Sequence, residues 1–240
     1  MLSGKIQLTL MVGPVVPVPA PRVVMEALNE VSVTSSDEGR SGFQLSFALS
    51  TSSPLHTLFL LGSGMSAIPV IRVVIVATVS GTPHVIMDGA MTKFEIKPGT
   101  KSAQAILTVF GEDLSVFMDQ TDFSGLPFPA MPAEGRVALL LAKYAVLGVV
   151  PLVIPSVMVD VPLPTSKIEA QKGTDLVYIN QLAERVGYVF YIEPGPLPGQ
   201  SIGYWGPQIK VGVPQPALSI NMDGHSNVES LDFSFKNDKH

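Results

Sequence analysis

The sequence predicts an α+β fold that is mainly antiparallel β, and three observations carry that expectation. Up to about Phe110, apolar residues alternate with polar or small ones, as in Phe43, Leu45, Phe47 and Leu49 set between Gln44, Ser46 and Ala48. A two-residue period is that of a strand with one buried face. Turn words (Ser80-Gly81-Thr82-Pro83, Asp88-Gly89 and Lys97-Pro98-Gly99) separate these runs at short intervals, so sequential strands are joined as hairpins. Near Glu112 the period lengthens to three and four residues, which is helical.

The elements follow in order. Residues 1–20 hold Lys5, an apolar stretch and small residues near Ala20, which imitates a signal peptide. Ile6, Leu8, Leu10 and Val12 nevertheless alternate, and Gly13-Pro14 interrupts the run, so a half-buried strand is expected. Val70 to Val79 is almost wholly β-branched, interrupted by Arg72, and reads as a strand covered on both sides. His84 to Ile96 and Ala103 to Phe110 complete a set of about six strands, closed as a barrel or sandwich. An unpaired edge such as Val70–Val79, with Arg72 its only charge, would template aggregation unless closed or covered.

Glu112 to Gln120 is expected as a short helix with Leu114, Phe117 and Met118 inward. A loop with Pro127, Pro129 and Pro132 leads to a helix from Arg136 to Leu147 that buries Val137, Leu140, Leu141 and Tyr144. The apolar run from Val137 to Val159 is long enough to span a bilayer. Pro151 and Pro155 break it and Gly148 offers a helix stop, so a helix followed by an extended Pro-rich segment is expected instead.

The stretch from Gly173 to Glu193 is the most legible. Thr174 or Asp175 can accept from the first free N–H groups, and Asp175 suits the positive helix start. Leu176, Ile179, Leu182, Ala183 and Val186 share one face. Gly187 sits where a left-handed residue ends a helix. Strands at Tyr188–Ile192 and Ile202–Trp205 follow, and Leu218, Ile220, Met222 and Leu231, Phe233, Phe235 alternate again. No internal repeat stands out.

Composition narrows the function classes. Charged residues are 15% of the 240, against roughly 25% in ordinary soluble domains. Hydrophobic residues are 46% and the mean hydropathy is +0.38, so burial against partners is expected. The net charge of −5 and the lack of any basic run argue against nucleic acid. With no cysteine, disulfides, thiolate metal sites and a cysteine nucleophile are excluded.

Candidate catalytic groups each meet a structural competitor. Gly62-Ser63-Gly64-Met65-Ser66-Ala67 matches a dinucleotide pattern, but that motif must open a helix, and Pro69 with a β-branched stretch follows. His84 and Asp88, four apart in a strand, would lie on one face about 13 Å apart, too far for a triad. Asp223 and His225 flank Gly224 in a turn, and two ligands make a poor metal site. Glu112 and Asp113 suit a helix N-terminus better than an acid–base pair. Tyr204 and Trp205 suggest a stacking site, but neighbours in a strand face opposite ways, so one ring belongs in a core or interface. The expectation is no catalytic, cofactor-binding or metal site, and no cofactor.

Four phrases also carry a resemblance. They are Gly111-Glu112-Asp113-Leu114-Ser115 with Met118-Asp119; Arg136 through Ala145; Gly173 through Glu193 with Tyr204-Trp205-Gly206-Pro207; and Asn227-Val228-Glu229-Ser230-Leu231. In this order they resemble the phage late control D family, the baseplate hubs of contractile phage tails and extracellular injection particles. Members usually run on well past the last phrase, whereas this sequence stops at His240, so a partial final domain or a shortened chain is expected. The resemblance implies a first tube-type β-barrel domain over 1–110, a helical and Pro-rich connector over 111–165, and over 166–240 a helix-plus-hairpin subdomain running into a partial second tube-type β-domain. It implies a structural role as a homotrimeric ring adapting a sixfold inner tube to a threefold puncturing spike. The implied partners are the trimeric spike protein, the inner tube protein and other baseplate components, with no nucleic acid and no stable membrane insertion. It also implies assembly in the bacterial cytoplasm before incorporation into a phage virion or extracellular injection particle. The alternative is a tail-associated hydrolase acting on the cell envelope, which would need a preorganised acid, base or nucleophile set.

Overall fold

The computed structural model describes residues 6–14, 16–36, 39–49, 71–98, 105–156 and 168–208. The Gly62–Ala67 pattern, Asp223 and His225, the Asn227–Leu231 phrase and the alternations after Leu218 lie outside the described residues.

The first part is a seven-stranded antiparallel sheet. Its strands are β1 (Gln7–Gly13), β2 (Val18–Pro19), β3 (Leu28–Thr34), β4 (Gly42–Leu49), β5 (Arg72–Val79), β6 (Thr82–Lys97) and β7 (Ala105–Asp113), ordered β2-β1-β5-β6-β7-β4-β3. The alternation behind each strand sets its burial: Phe43, Leu45, Phe47 and Leu49 face one core with Leu10, Ile75, Met87, Leu107 and Val109. The apolar N-terminal run is β1, paired along its length with β5.

One connection shows that the sheet is curled. The edge strands β2 and β3 are joined through α1 (Arg22–Ala27), a six-residue helix absent from the sequence expectation. A flat sheet would separate those edges by six strand spacings, about 29 Å. The path from Pro19 to Leu28, with its helical turns, reaches only about 22 Å. Val24, Met25 and Ala27 of α1 accordingly pack into the same core. Among the described residues the ladder itself ends at β2 and β3.

Three expectations for this part are corrected. β5 is an interior strand, flanked by β1 and β6, and not an edge. Its Arg72 is 3% exposed, so it is a buried partner rather than a surface charge that deters pairing. A bulge also interrupts β6: Ile75 opposes Met87 and Val76 opposes Val85, leaving Ile86 unpaired. An extra residue shifts the alternation, so His84 and Asp88 do not share one environment; His84 is exposed and Asp88 buried.

The second part has its own core. β7 runs on to Asp113, so Glu112 and Asp113 end a strand instead of opening an α-helix, and a 3-10 turn, Leu114–Asp119, follows. α2 spans Ala133–Ala142, beginning before Arg136, with a separate 3-10 turn at Ala145–Leu147. Pro132 precedes its first residue, where the fixed φ and missing N–H cost nothing. Gly148 (φ 77°) then turns the chain, and a Cβ there would lie 2.1 Å from the Gly199 carbonyl.

The Pro-rich segment begins as a strand. β9 (Val149–Val153) pairs in parallel with β12 (Ser201–Pro207), which pairs antiparallel with β11 (Tyr188–Pro194). Two short strands, β8 (Pro127–Phe128) and β10 (Glu169–Ala170), pair with each other. α3 (Asp175–Val186) is capped as expected: the Thr174 hydroxyl accepts from Val177 N, and Gly187 closes the helix at φ 71°. Its Ile179, Leu182 and Ala183 join Leu140, Leu141, Phe190 and Trp205 in one core. Among the described residues no helix is long and apolar enough to cross a membrane.

Candidate functional site

Polar side chains concentrate where the sheet meets the second core. Arg40 precedes β4 and donates to Glu112 Oε2 at 2.7 Å and to Asp119. Asp119 in turn accepts from the Thr174 hydroxyl at 2.7 Å, which ties the helix cap of α3 to the end of the 3-10 turn. Asp113 accepts from Ser41 N (2.6 Å) and Ser115 N (2.9 Å). Burial nonetheless pushes its carboxyl above the usual aspartate range, against those bonds and the Arg40 charge.

Beside this network lies a cleft of about 400 Å³, lined by Arg40, Asp113, Ser115, Asn180, Glu184 and Tyr188 among others. Among the described residues no histidine, lysine or cysteine lines it. Of its charged groups, Asp113 and Arg40 are engaged in holding the chain.

A second cluster is buried. Arg72 grips Asp88 with two bonds of 2.7 Å, Nε to Oδ1 and Nη2 to Oδ2, and its Nη2 also donates to Gly199 O at 3.0 Å. The Ser201 hydroxyl donates to Asp88 Oδ2 at 3.2 Å. Serine and aspartate thus meet, but His84 is not with them, and the imagined triad is not assembled.

Two further clusters brace α3. Asp175 accepts from Tyr144 Oη (2.7 Å) and Gln171 Nε2 (2.8 Å) and pairs with Lys143 (2.5 Å). Burial, then the Asp175 bond, raise the Tyr144 hydroxyl well above the ordinary tyrosine value. Arg136, 4% exposed, donates to Met131 O, to Tyr178 Oη and to Glu169. Glu169 also pairs with Arg185. Desolvation would raise the Glu169 carboxyl, but the Arg185 and Arg136 pairings outweigh it and hold the group below its usual range.

The remaining sequence candidates have structural positions. Asp113 caps the 3-10 turn, as its place before Leu114 suggested, whereas Glu112 pairs with Arg40. Tyr204 and Trp205 part as adjacent strand residues must. Trp205 is fully buried, edge-on to Tyr188 at 4.9 Å, and Tyr204 stacks on Tyr191 at 5.0 Å. Among the described residues no three His, Cys, Asp or Glu side chains gather as a metal site.

Sequence reasoning missed Arg40, the Arg72–Asp88 pair and Arg136. A signal for Arg72 was available, because a charge inside a β-branched run is almost never buried without a partner. The partner was unreadable, since it depends on sheet register.

Exposed apolar residues mark the outside. Val150 and Leu152 on β9, Val146, Leu139 on α2, and Val16 and Val18 near β2 are all exposed.

The sequence matches no known family profile and no curated protein. Solved structures do match. One is the Francisella PdpA–VgrG complex, half-lidded, with TM-score 0.55 and 11% identity, covering 85% of this chain and 32% of that one. Others are a prophage MuSo2 43 kDa tail protein from Shewanella oneidensis (TM-score 0.49, 12% identity, 82% and 53% covered) and a tail protein from Neisseria meningitidis MC58 (0.47, 16%, 82% and 50%). The chain thus spans 32–53% of the length of these structures. What the chain shares with the Francisella PdpA–VgrG complex is its fold.

Proposed function

We propose that this chain is a structural baseplate hub of a contractile injection machine, and that its copies form a threefold ring between a sixfold inner tube and a trimeric spike. The observation that carries this reading is the fold likeness to the PdpA–VgrG complex over 85% of the chain, in line with the late control D phrases in the sequence. Fold alone does not fix function. Two properties of the chain support the step. Charged residues are only 15% of the sequence, and large apolar residues stand exposed on β9, α2 and the β2 region, as an obligate ring subunit requires.

The role is structural rather than enzymatic. The candidate acidic groups among the described residues are spent on holding the fold: Asp88 on Arg72, Asp113 on a cap, Glu112 on Arg40. The partners are further copies of the chain, the spike protein, the tube protein and other baseplate components. Assembly takes place in the bacterial cytoplasm before the particle is released.

Light scattering after gel filtration tests the reading, on the chain alone and with its spike protein. The expected species is a trimer, or a three-to-three complex where the ring closes only on the spike. A stable monomer that ignores spike and tube, or one that cleaves peptidoglycan, overturns it.

A further inference from the structure

The seven-stranded sheet and the second core meet through two polar ties of opposite character. The first, Arg40 with Glu112 and Asp119, is partly open to solvent, at 30–38% side-chain exposure. The second is the Arg72–Asp88 pair, with side chains 3% and 0% exposed. Both members of that pair belong to the sheet, at the start of β5 and midway along β6. Two of its bonds leave the sheet. Arg72 Nη2 donates to Gly199 O, and the Ser201 hydroxyl, also fully buried, donates to Asp88. Gly199 and Ser201 end the β11–β12 turn and begin β12, so the pair grips the root of the three-stranded sheet.

The neighbouring backbone leaves little slack. Ser201 N donates to Gly148 O at 3.0 Å, and a Cβ at Gly148 would strike Gly199 O at 2.1 Å. Gly148 begins the turn into β9, so both strands of the parallel pair, the edge strand β9 and the central strand β12, start beside the same guanidinium.

A buried ion pair of this kind is a weak source of stability, because desolvating two charges offsets most of their attraction. It is a strong source of geometry, because its bidentate fork and satisfied lone pairs are met at one arrangement only. Apolar contacts, by contrast, tolerate sliding.

From this we infer that Arg72–Asp88, with Ser201 and Gly199, is an orientation lock: it sets the angle at which the three-stranded sheet and its helices stand on the seven-stranded sheet. The lock is a property of the single chain and goes beyond the ring proposal. Its failure and the failure of the ring are read separately.

The chain contains no cysteine, so spin labels can be placed freely. One goes on Ser32 of β3 and one on Glu184 of α3, both exposed, and the distance distribution is measured on the isolated chain by electron double resonance. The wild type should give one narrow distribution. R72M/D88L, which replaces both charges by apolar groups, should melt within a few degrees of the wild type yet give a distribution at least twice as wide. S201A keeps the ion pair and removes one bond to the second core; it should broaden the distribution to an intermediate width. A broad wild-type distribution overturns the lock, as does wild-type width in R72M/D88L. Should that double variant not fold, S201A decides: broadening upholds the lock, and wild-type width overturns it.

Discussion

Leu182 is 1% exposed on the inward face of α3. Truncation there leaves a cavity in the core that Leu182 shares with Leu140, Leu141 and Trp205. Leu182→Ala should destabilise the chain by about 2–5 kcal/mol, read as a lower urea midpoint with an unchanged slope. If stability holds while an enzymatic activity disappears, the helix is a site and not a packing element. Glu169 tests the electrostatics. Its folded-state carboxyl titrates below the ordinary 4.5, so its contribution is present above 4.5 and is lost as pH falls through the lower, folded value. The urea midpoints of wild type and Glu169→Gln should therefore differ most near neutral pH and converge below about pH 4. Asp113 has the opposite sign. Its raised carboxyl adds stability as pH falls, so the acid limb of the wild-type curve is shallower than Glu169 alone would give. A gap between wild type and Glu169→Gln that widens in acid would contradict the assignment.

At the scale of single elements, α3 carries its own start and stop signals. Thr174→Ala removes the acceptor for Val177 N and also the donor to Asp119. A cost of about 0.5–2 kcal/mol is expected, and hydrogen exchange should quicken first in the initial turn of the helix. The β9 edge makes a different point. Ser201 N donates to Gly148 O and Ile154 N to Trp205 O, which sets the bonding parity of the parallel pair. Gly148, Val150, Leu152 and Ile154 turn their backbone groups to β12, and Val149, Pro151 and Val153 turn theirs outward. Val149 N is already taken by Tyr144 O, and proline has no N–H to offer. The exposed edge is thus blunted against strand addition despite its exposed Val150 and Leu152. Pro151→Val should leave circular dichroism unchanged and speed concentration-dependent aggregation in light scattering. No change in aggregation would mean the edge is guarded by something else.

For the whole molecule, the two cores differ in what holds them. The sheet core is apolar from Leu10 to Val109. The second core draws on residues from Leu114 to Trp205 and is ringed by the Arg136 and Asp175 clusters. Neither core uses the exposed apolar residues of β9, α2 and β2, which remain for neighbours in the proposed ring. Each subunit pair should bury at least about 1,000 Å² if the ring is specific, and more if it is obligate. Charge substitution at Val150 or Leu152, Val150→Lys for instance, should leave the melting temperature of the single chain within a few degrees while weakening trimer formation on the spike. Trimer formation unaffected by charges at both positions would move the interface elsewhere.

The sequence by itself determined the elements whose signals are local. The α3 cap at Thr174, the stop at Gly187, the alternation of β4 and the β1 run were all legible, because each depends on residues within one or two turns of one another. The Gly173–Glu193 and Gly111–Ser115 phrases likewise carry the resemblance to the late control D family. Tertiary structure decided what depends on register and crossing. The bulge at Ile86 separated His84 from Asp88, and strand order placed β5 inside the sheet. Arg72 and Asp88 lie 16 residues apart, while Ser201 reaches them across 113. No period or spacing encodes a partner at that distance. Desolvation of a lone buried charge forbids Arg72 from standing alone, and only the folded chain says which carboxylate meets it.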